Sequence, residues 1–141
     1  MQEMTAEERR AFLLSGHRTG KLATVRQDGR PHVTPVWFTL DGEVLVFTVW
    51  HATVKAANLR RDPRVAFCVD DDTPPFAYVI IEGSAVLDDH APDLQRWTTA
   101  IAARYMGAGL ADSFGKRNAV EGELLVRVSP SRILAYQGIS D

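Results

Sequence analysis

The chain has 141 residues, a net charge of −2 from 18 acidic and 16 basic side chains, and one cysteine. That length suits a single domain, residues 1–141, with a core of its own, and the near-neutral balance argues against nucleic acid or an anionic membrane as partner. The lone Cys68 excludes an internal disulfide. The opening MQEMTAEERR is charged and no apolar run nears spanning length, so the expectation is a reduced, cytoplasmic protein without a leader.

Thr5-Ala6-Glu7-Glu8 has the capping-box pattern and predicts a helix to about Leu14, with Gly16 as its stop. Residues 21–27 alternate as a first strand. Asp28-Gly29 and Asp41-Gly42 are dipeptides favoured in tight hairpins, where glycine supplies the positive φ. Between them a long strand sets Val36, Phe38 and Leu40 on one face and Val33, Pro35 and Trp37 on the other. The next strand sets Leu45, Phe47 and Val49 opposite Val44, Val46 and Trp50. Both faces therefore need burial, one inside a barrel and the other under a cofactor or a partner subunit. Pro35 marks an edge, a bulge or a break, which would leave nearby backbone groups free to bond a planar ligand.

Thr53 then caps a short basic helix that carries Lys55 in its first turn and ends at Asp62-Pro63. Strands follow at 64–70 and 76–87, the second with Gly83 as a bend or bulge. A helix from Pro92 to Met106 carries Leu94, Trp97, Ile101 and Tyr105 on one stripe. Gly107 stops it, and a glycine-bearing loop runs to Gly115. Two last strands, 123–128 and 133–137, are separated by Ser129-Pro130-Ser131. Seven strands and three helices, spaced too closely for crossover helices, predict a mainly β, mostly antiparallel barrel with peripheral helices.

Classical catalytic patterns are missing. His17, His32, His51 and His90 lack metal-ligand spacing, and no serine sits in a nucleophile elbow, so neither a metal site nor a catalytic residue is assigned. What the residues do offer is an edge strand beside a helix N-terminus with a lysine, a ready anion site. Together these point to a phosphorylated aromatic cofactor.

The stretches GRPHVTPVWF, DGEVLVFTV and TVKAANLRRDP resemble the flavin/deazaflavin split-barrel superfamily, the pyridoxamine 5'-phosphate oxidase-like, FMN-binding split barrels. The branch they resemble most is the coenzyme F420-dependent oxidoreductases. The resemblance runs from Gly20 to about Tyr136 and includes Ile81-Glu82-Gly83. It implies a homodimer with cofactor sites at the subunit interface. It also implies that Val33, Thr34, Pro35, Val36 and Trp37, with Thr48, Val49 and Trp50, flank the tricyclic ring, while Thr53, Lys55 and Asn58 match the phosphate-holding positions. Arg61, with Arg60, Arg64, Arg18 and Lys21, could meet the acidic tail of F420. The true oxidase ends in an Arg/His-rich segment, whereas these residues close Tyr136-Gln137-Gly138-Ile139-Ser140-Asp141, so oxidation of pyridoxamine phosphate is not expected. The expected function is hydride transfer from reduced F420 to a small conjugated acceptor. The alternatives are an FMN enzyme, or a non-catalytic flavin or haem binder using His51 or His90. In every case the redox chemistry belongs to the cofactor.

Overall fold

A computed structural model describes residues Met1–Asp141 as eight strands and four α-helices. In chain order they are β1 (Gln2–Glu3), α1 (Ala6–Leu14), β2 (Gly20–Val25), β3 (Pro31–Val36), β4 (Thr39–Asp41), β5 (Val44–Trp50) and α2 (Val54–Arg61). Then come β6 (Arg64–Asp71), β7 (Ala77–Asp88), α3 (Leu94–Met106), α4 (Ala111–Asn118) and β8 (Glu123–Gln137), with one 3-10 turn at Ala108–Leu110. The sheet is antiparallel throughout, in the order β3-β2-β6-β7-β8-β5-β4, and β1 is added beside β8. Its two end strands, β3 and β4, are separated in the chain only by Trp37-Phe38, so the sheet must curl back on itself. The fold is mainly β, a split barrel with flanking helices.

The barrel fills with the inward half of each strand: Leu22, Phe38, Leu45, Phe47, Phe67, Val69, Val79, Ile81, Leu124, Val126 and Val128 are all essentially solvent-free. Phe38 meets Phe67 edge-on at 5.0 Å, a favoured aromatic geometry. Gly20 lies against this ring; a Cβ there would sit 1.8 Å from Phe67 Cζ. The capping box of α1 forms as predicted: Glu8 N–H donates to Thr5 Oγ1 and Thr5 N–H to Glu8 Oε1.

Five expectations change. The long strand after Asp28-Gly29 is two strands, interrupted at Trp37-Phe38 rather than at Pro35, which lies in edge strand β3 opposite Lys21. The backbone of Phe38 at that break is not left for a ligand. Tyr105 Oη accepts from the Phe38 N–H at 3.3 Å, and Arg104 donates to the Phe38 carbonyl and, at 2.9 Å, to that of Leu13. The second face of β5 is covered by the same chain, since Val46 packs with Trp97 of α3 and Leu125.

The two last strands are one. β8 runs unbroken past Pro130 because a bulge opposite Glu82-Gly83 removes the need for a proline N–H. A Cβ on Gly83 would lie 2.4 Å from the Ser129 carbonyl oxygen, so this close crossing requires glycine. Finally, the expected glycine-bearing loop forms helix α4. Its Gly115 lets it lie against α3, where a Cβ would come within 2.0 Å of Thr99 Oγ1.

Candidate functional site

The capped start of α2 faces the end of β3. Thr53 Oγ1 accepts from the Ala56 N–H at 3.3 Å, and the Thr53 carbonyl takes the Ala57 N–H. The Val54 and Lys55 N–H groups find no acceptor in the chain and so remain available to an anion at the positive end of the helix. Half-buried Lys55 extends toward β3, its Nζ donating to Thr34 Oγ1 at 3.5 Å.

Beside it lies a cleft of about 220 Å³ lined by Pro35, Val36, Trp37, Thr48, Lys55, Thr98, Ile101 and Asn118. Trp37 forms a flat wall: its ring stacks on Tyr105 at 5.0 Å with 4° between the planes. Tyr105 is fixed in turn by donating to the Arg18 carbonyl at 2.9 Å. On the opposite side Thr98 Oγ1 donates to the Gly115 carbonyl at 2.7 Å, tying α3 to α4 and holding Asn118 at the cleft.

Of the residues named from sequence, Pro35, Val36, Trp37, Thr48 and Lys55 line this cleft, and Thr34 reaches it through Lys55. The others are elsewhere. Val33 is exposed on the outer face of β3, and Val49 is buried in the barrel. Trp50 is exposed against His51, with ring centroids 4.7 Å apart. Asn58 is buried and donates to Thr24 Oγ1 at 3.0 Å. Arg61 donates to the Val25 carbonyl and to Asn58 Oδ1. Among the cations suggested for an acidic tail, Arg18 pairs with Asp71 at 3.0 Å, Lys21 with Asp70 at 3.8 Å and Arg64 with Asp62 at 2.7 Å. Arg60 is exposed and bonds only the His51 carbonyl, at 3.3 Å.

Sequence reasoning missed Glu123, the first residue of β8, which pairs with Trp50 across the β5–β8 ladder. Burial pushes its carboxyl above the usual 4.5, against the opposing pull of the Thr48 side chain and the Lys55 ammonium. A carboxyl directly before the apolar run Leu124-Leu125-Val126 was the available signal. Thr98 lies in α3 but, being polar, is not counted in its apolar stripe, and Asn118 lies where a loop is expected. The spacing of Ala111, Phe114, Gly115 and Asn118 is helical and could have been recognised.

His51 and His90 border a different cleft, of about 470 Å³, with Arg60, Asp89 and Glu121. No cluster of three or more His, Cys, Asp or Glu side chains is arranged to hold a metal ion. No helix is long and apolar enough to cross a membrane.

A barrel closed across a two-residue strand break, with an aromatic cleft at that break and a helix N-terminus beside it, defines a split β-barrel of the flavin-binding kind. The chain belongs to the pyridoxamine 5'-phosphate oxidase family, whose model matches residues 5–136. It is similar in structure to a conserved hypothetical protein of Mycobacterium tuberculosis, with 31% identity, TM-score 0.83, and coverage of 97% of this chain and 87% of that one. An F420 reductase is 32% identical with TM-score 0.67, over 87% of this chain and 94% of that one. A haem storage protein of Vibrio cholerae shares the fold at 18% identity and TM-score 0.73, over 98% and 100% of the two chains.

Proposed function

We propose that the chain is an oxidoreductase that binds the deazaflavin coenzyme F420 and uses its reduced form to deliver a hydride to a small conjugated organic acceptor. One observation carries this reading: Trp37, Val36 and Pro35 meet Lys55 in one cleft, at the start of α2 where the Val54 and Lys55 amides have no acceptor. The apolar, aromatic wall suits a planar ring, and the amides with the ammonium suit a phosphate. The likeness to an F420 reductase favours deazaflavin over FMN.

The residues present fit such a group. Lys55 and the N–H groups of Val54 and Lys55 would take the phosphate, with Thr34 orienting the ammonium. Trp37, backed by Tyr105, would flank the ring, while Pro35 and Val36 exclude water. Exposed Arg60 is the cation for the acidic tail. When bound, the cofactor supplies the hydride chemistry itself, so the protein's task is to bind, orient and tune.

A second copy of the chain completes the site. At about 220 Å³ the cleft is smaller than the roughly 300–1,000 Å³ usual for cofactor pockets, which supports a site shared with a second copy. The outer face of β2, β6, β7 and β8 supplies a docking surface: Ala23, Ala66, Cys68, Ile80 and Leu134 are all only half-buried, beside exposed Val33. A homodimer sealed over this face would bury these outward side chains.

The test is a parallel titration of F420 and FMN, followed by absorbance, and then a panel of acceptors read by recovery of deazaflavin absorbance. Tighter binding of FMN overturns the choice of F420. Haem binding without turnover of any acceptor overturns the enzyme reading.

A further inference from the structure

Lys55 is the one cation lining the cleft, and it does not stand alone. Glu123 enters from β8, opposite Trp50, where the Thr48 side chain and the Lys55 ammonium both act on its carboxyl. Thr48 lines the cleft itself and, two positions before Trp50 on β5, shares the sheet face of Glu123. Glu123 also borders a neighbouring cleft of about 290 Å³ that contains Asp89, Glu121 and His90 but no lysine or arginine. A phosphate held by Lys55 therefore has an acidic border on the β8 side. Lys55 contributes one unit of positive charge and the helix N-terminus about half a unit, and the Glu123 carboxylate offsets one, so the net charge offered to it is about half a unit.

We propose that Glu123 is a specificity residue of this cleft, selecting a cofactor whose phosphate is a diester with one negative charge over one whose phosphate is a terminal monoester with two. This rests on reading the cleft as a phosphate site, and it deepens that reading by naming the phosphate class. A monoester has its second ionisation near pH 6, so at pH 8 it is a dianion, while a diester remains a monoanion. The second charge has no further cation to meet and is repelled by the Glu123 carboxylate. F420 carries its phosphate between the ring-bearing chain and the acidic tail, as a diester; FMN ends in a monoester. The discrimination is electrostatic, and one uncompensated unit charge at a partly buried site changes affinity roughly ten-fold.

The test uses two flavins that share a ring and differ in phosphate charge: FMN and riboflavin 4',5'-cyclic phosphate, a diester. Their dissociation constants are measured at pH 8 by fluorescence quenching with the wild-type dimer and with Glu123→Gln, which keeps the side-chain volume. Thermal melts confirm that the variant is folded. The expected result is about ten-fold tighter wild-type binding of the cyclic diester, with that preference falling to within about two-fold in Glu123→Gln because FMN binding improves. Equal affinities in the wild type, or a preference that survives in Glu123→Gln, would overturn the assignment. So would failure of both flavins to bind either protein. The separate titration with F420 shows whether the reading of the cleft as a deazaflavin site fails as well.

Discussion

Replacing Lys55 with alanine removes the cation of the cleft while leaving the fold nearly untouched. In the free protein the ammonium makes one long hydrogen bond, 3.5 Å to Thr34 Oγ1, and favours the charged form of Glu123, so its loss should change apo stability by no more than about 1 kcal/mol. Toward a phosphate the same group would make a charge-assisted bond at the positive end of α2, reinforced by the Val54 and Lys55 N–H groups that have no acceptor. Such a bond contributes about 1.5–3 kcal/mol, so Lys55→Ala should weaken F420 binding roughly ten- to a hundred-fold. Because the backbone N–H groups survive the substitution, binding should be weakened rather than abolished. The assay is equilibrium titration of F420 with wild type and variant, alongside urea denaturation of both without cofactor. Arg61→Ala is the contrast: its guanidinium is tied to the Val25 carbonyl and Asn58, so it should lose stability more than affinity. A Lys55→Ala affinity within two-fold of wild type, or an Arg61→Ala loss as large as that of Lys55→Ala, would refute the placement of the phosphate at the start of α2.

Further outcomes are expected. Pro35→Val adds an N–H to edge strand β3 beside the cleft and should weaken cofactor binding without unfolding the barrel; unchanged affinity by titration counts against a ring lying along that strand. Gly115→Ala should cost about 1–3 kcal/mol in urea melts, because its Cβ would meet Thr99 at 2.0 Å and push α4 off α3; a neutral result would mean the helix pair can slide. Glu123, whose carboxyl is raised above 4.5 by burial, contributes stability that is full below that pH and is lost as pH rises through its folded value. The melting temperature of Glu123→Gln relative to wild type should therefore climb from pH 4 upward and then level off; a flat difference would show that the carboxyl titrates normally. Light scattering at micromolar concentration should give a dimer with an interface above about 2,000 Å², and a monomer would leave the half-buried outer sheet face unexplained.

The barrel was legible because its signals are local. Turn glycines, β-branched runs and the Thr5 and Thr53 caps each declare an element without reference to the rest of the chain. Errors arose where a distant partner changes what a residue must satisfy. Pro130 looks like a strand end until Gly83 is placed opposite it, and the gap at Trp37-Phe38 depends on Arg104 and Tyr105, far along the chain. The site divides in the same way. Pro35, Val36, Trp37 and Lys55 fall within one hairpin-helix unit and could be read together, whereas Glu123, Thr98 and Asn118 join them only through the closed sheet and the α3–α4 pair. Asn58 shows the opposite case: it shares the helix face that sequence assigns to the ligand, yet Thr24 claims its amide inside the barrel.

The unbroken course of β8 also has a consequence for how the protein comes into being. This strand hydrogen-bonds to β5, β7 and β1, and Leu124, Val126 and Val128 fill the barrel with side chains no earlier segment can replace. On a ribosome, which adds only about 5–20 residues each second, the hairpins and α2 emerge well before it and wait with their apolar faces open. Closure is thus a late, long-range event of the kind that folds slowly. The nascent chain carries Lys55, Trp37 and Tyr105 but lacks Glu123 until β8 is free of the exit tunnel. The newborn protein should therefore depend on chaperones during that interval, and the cofactor can assist folding only after synthesis has passed residue 137.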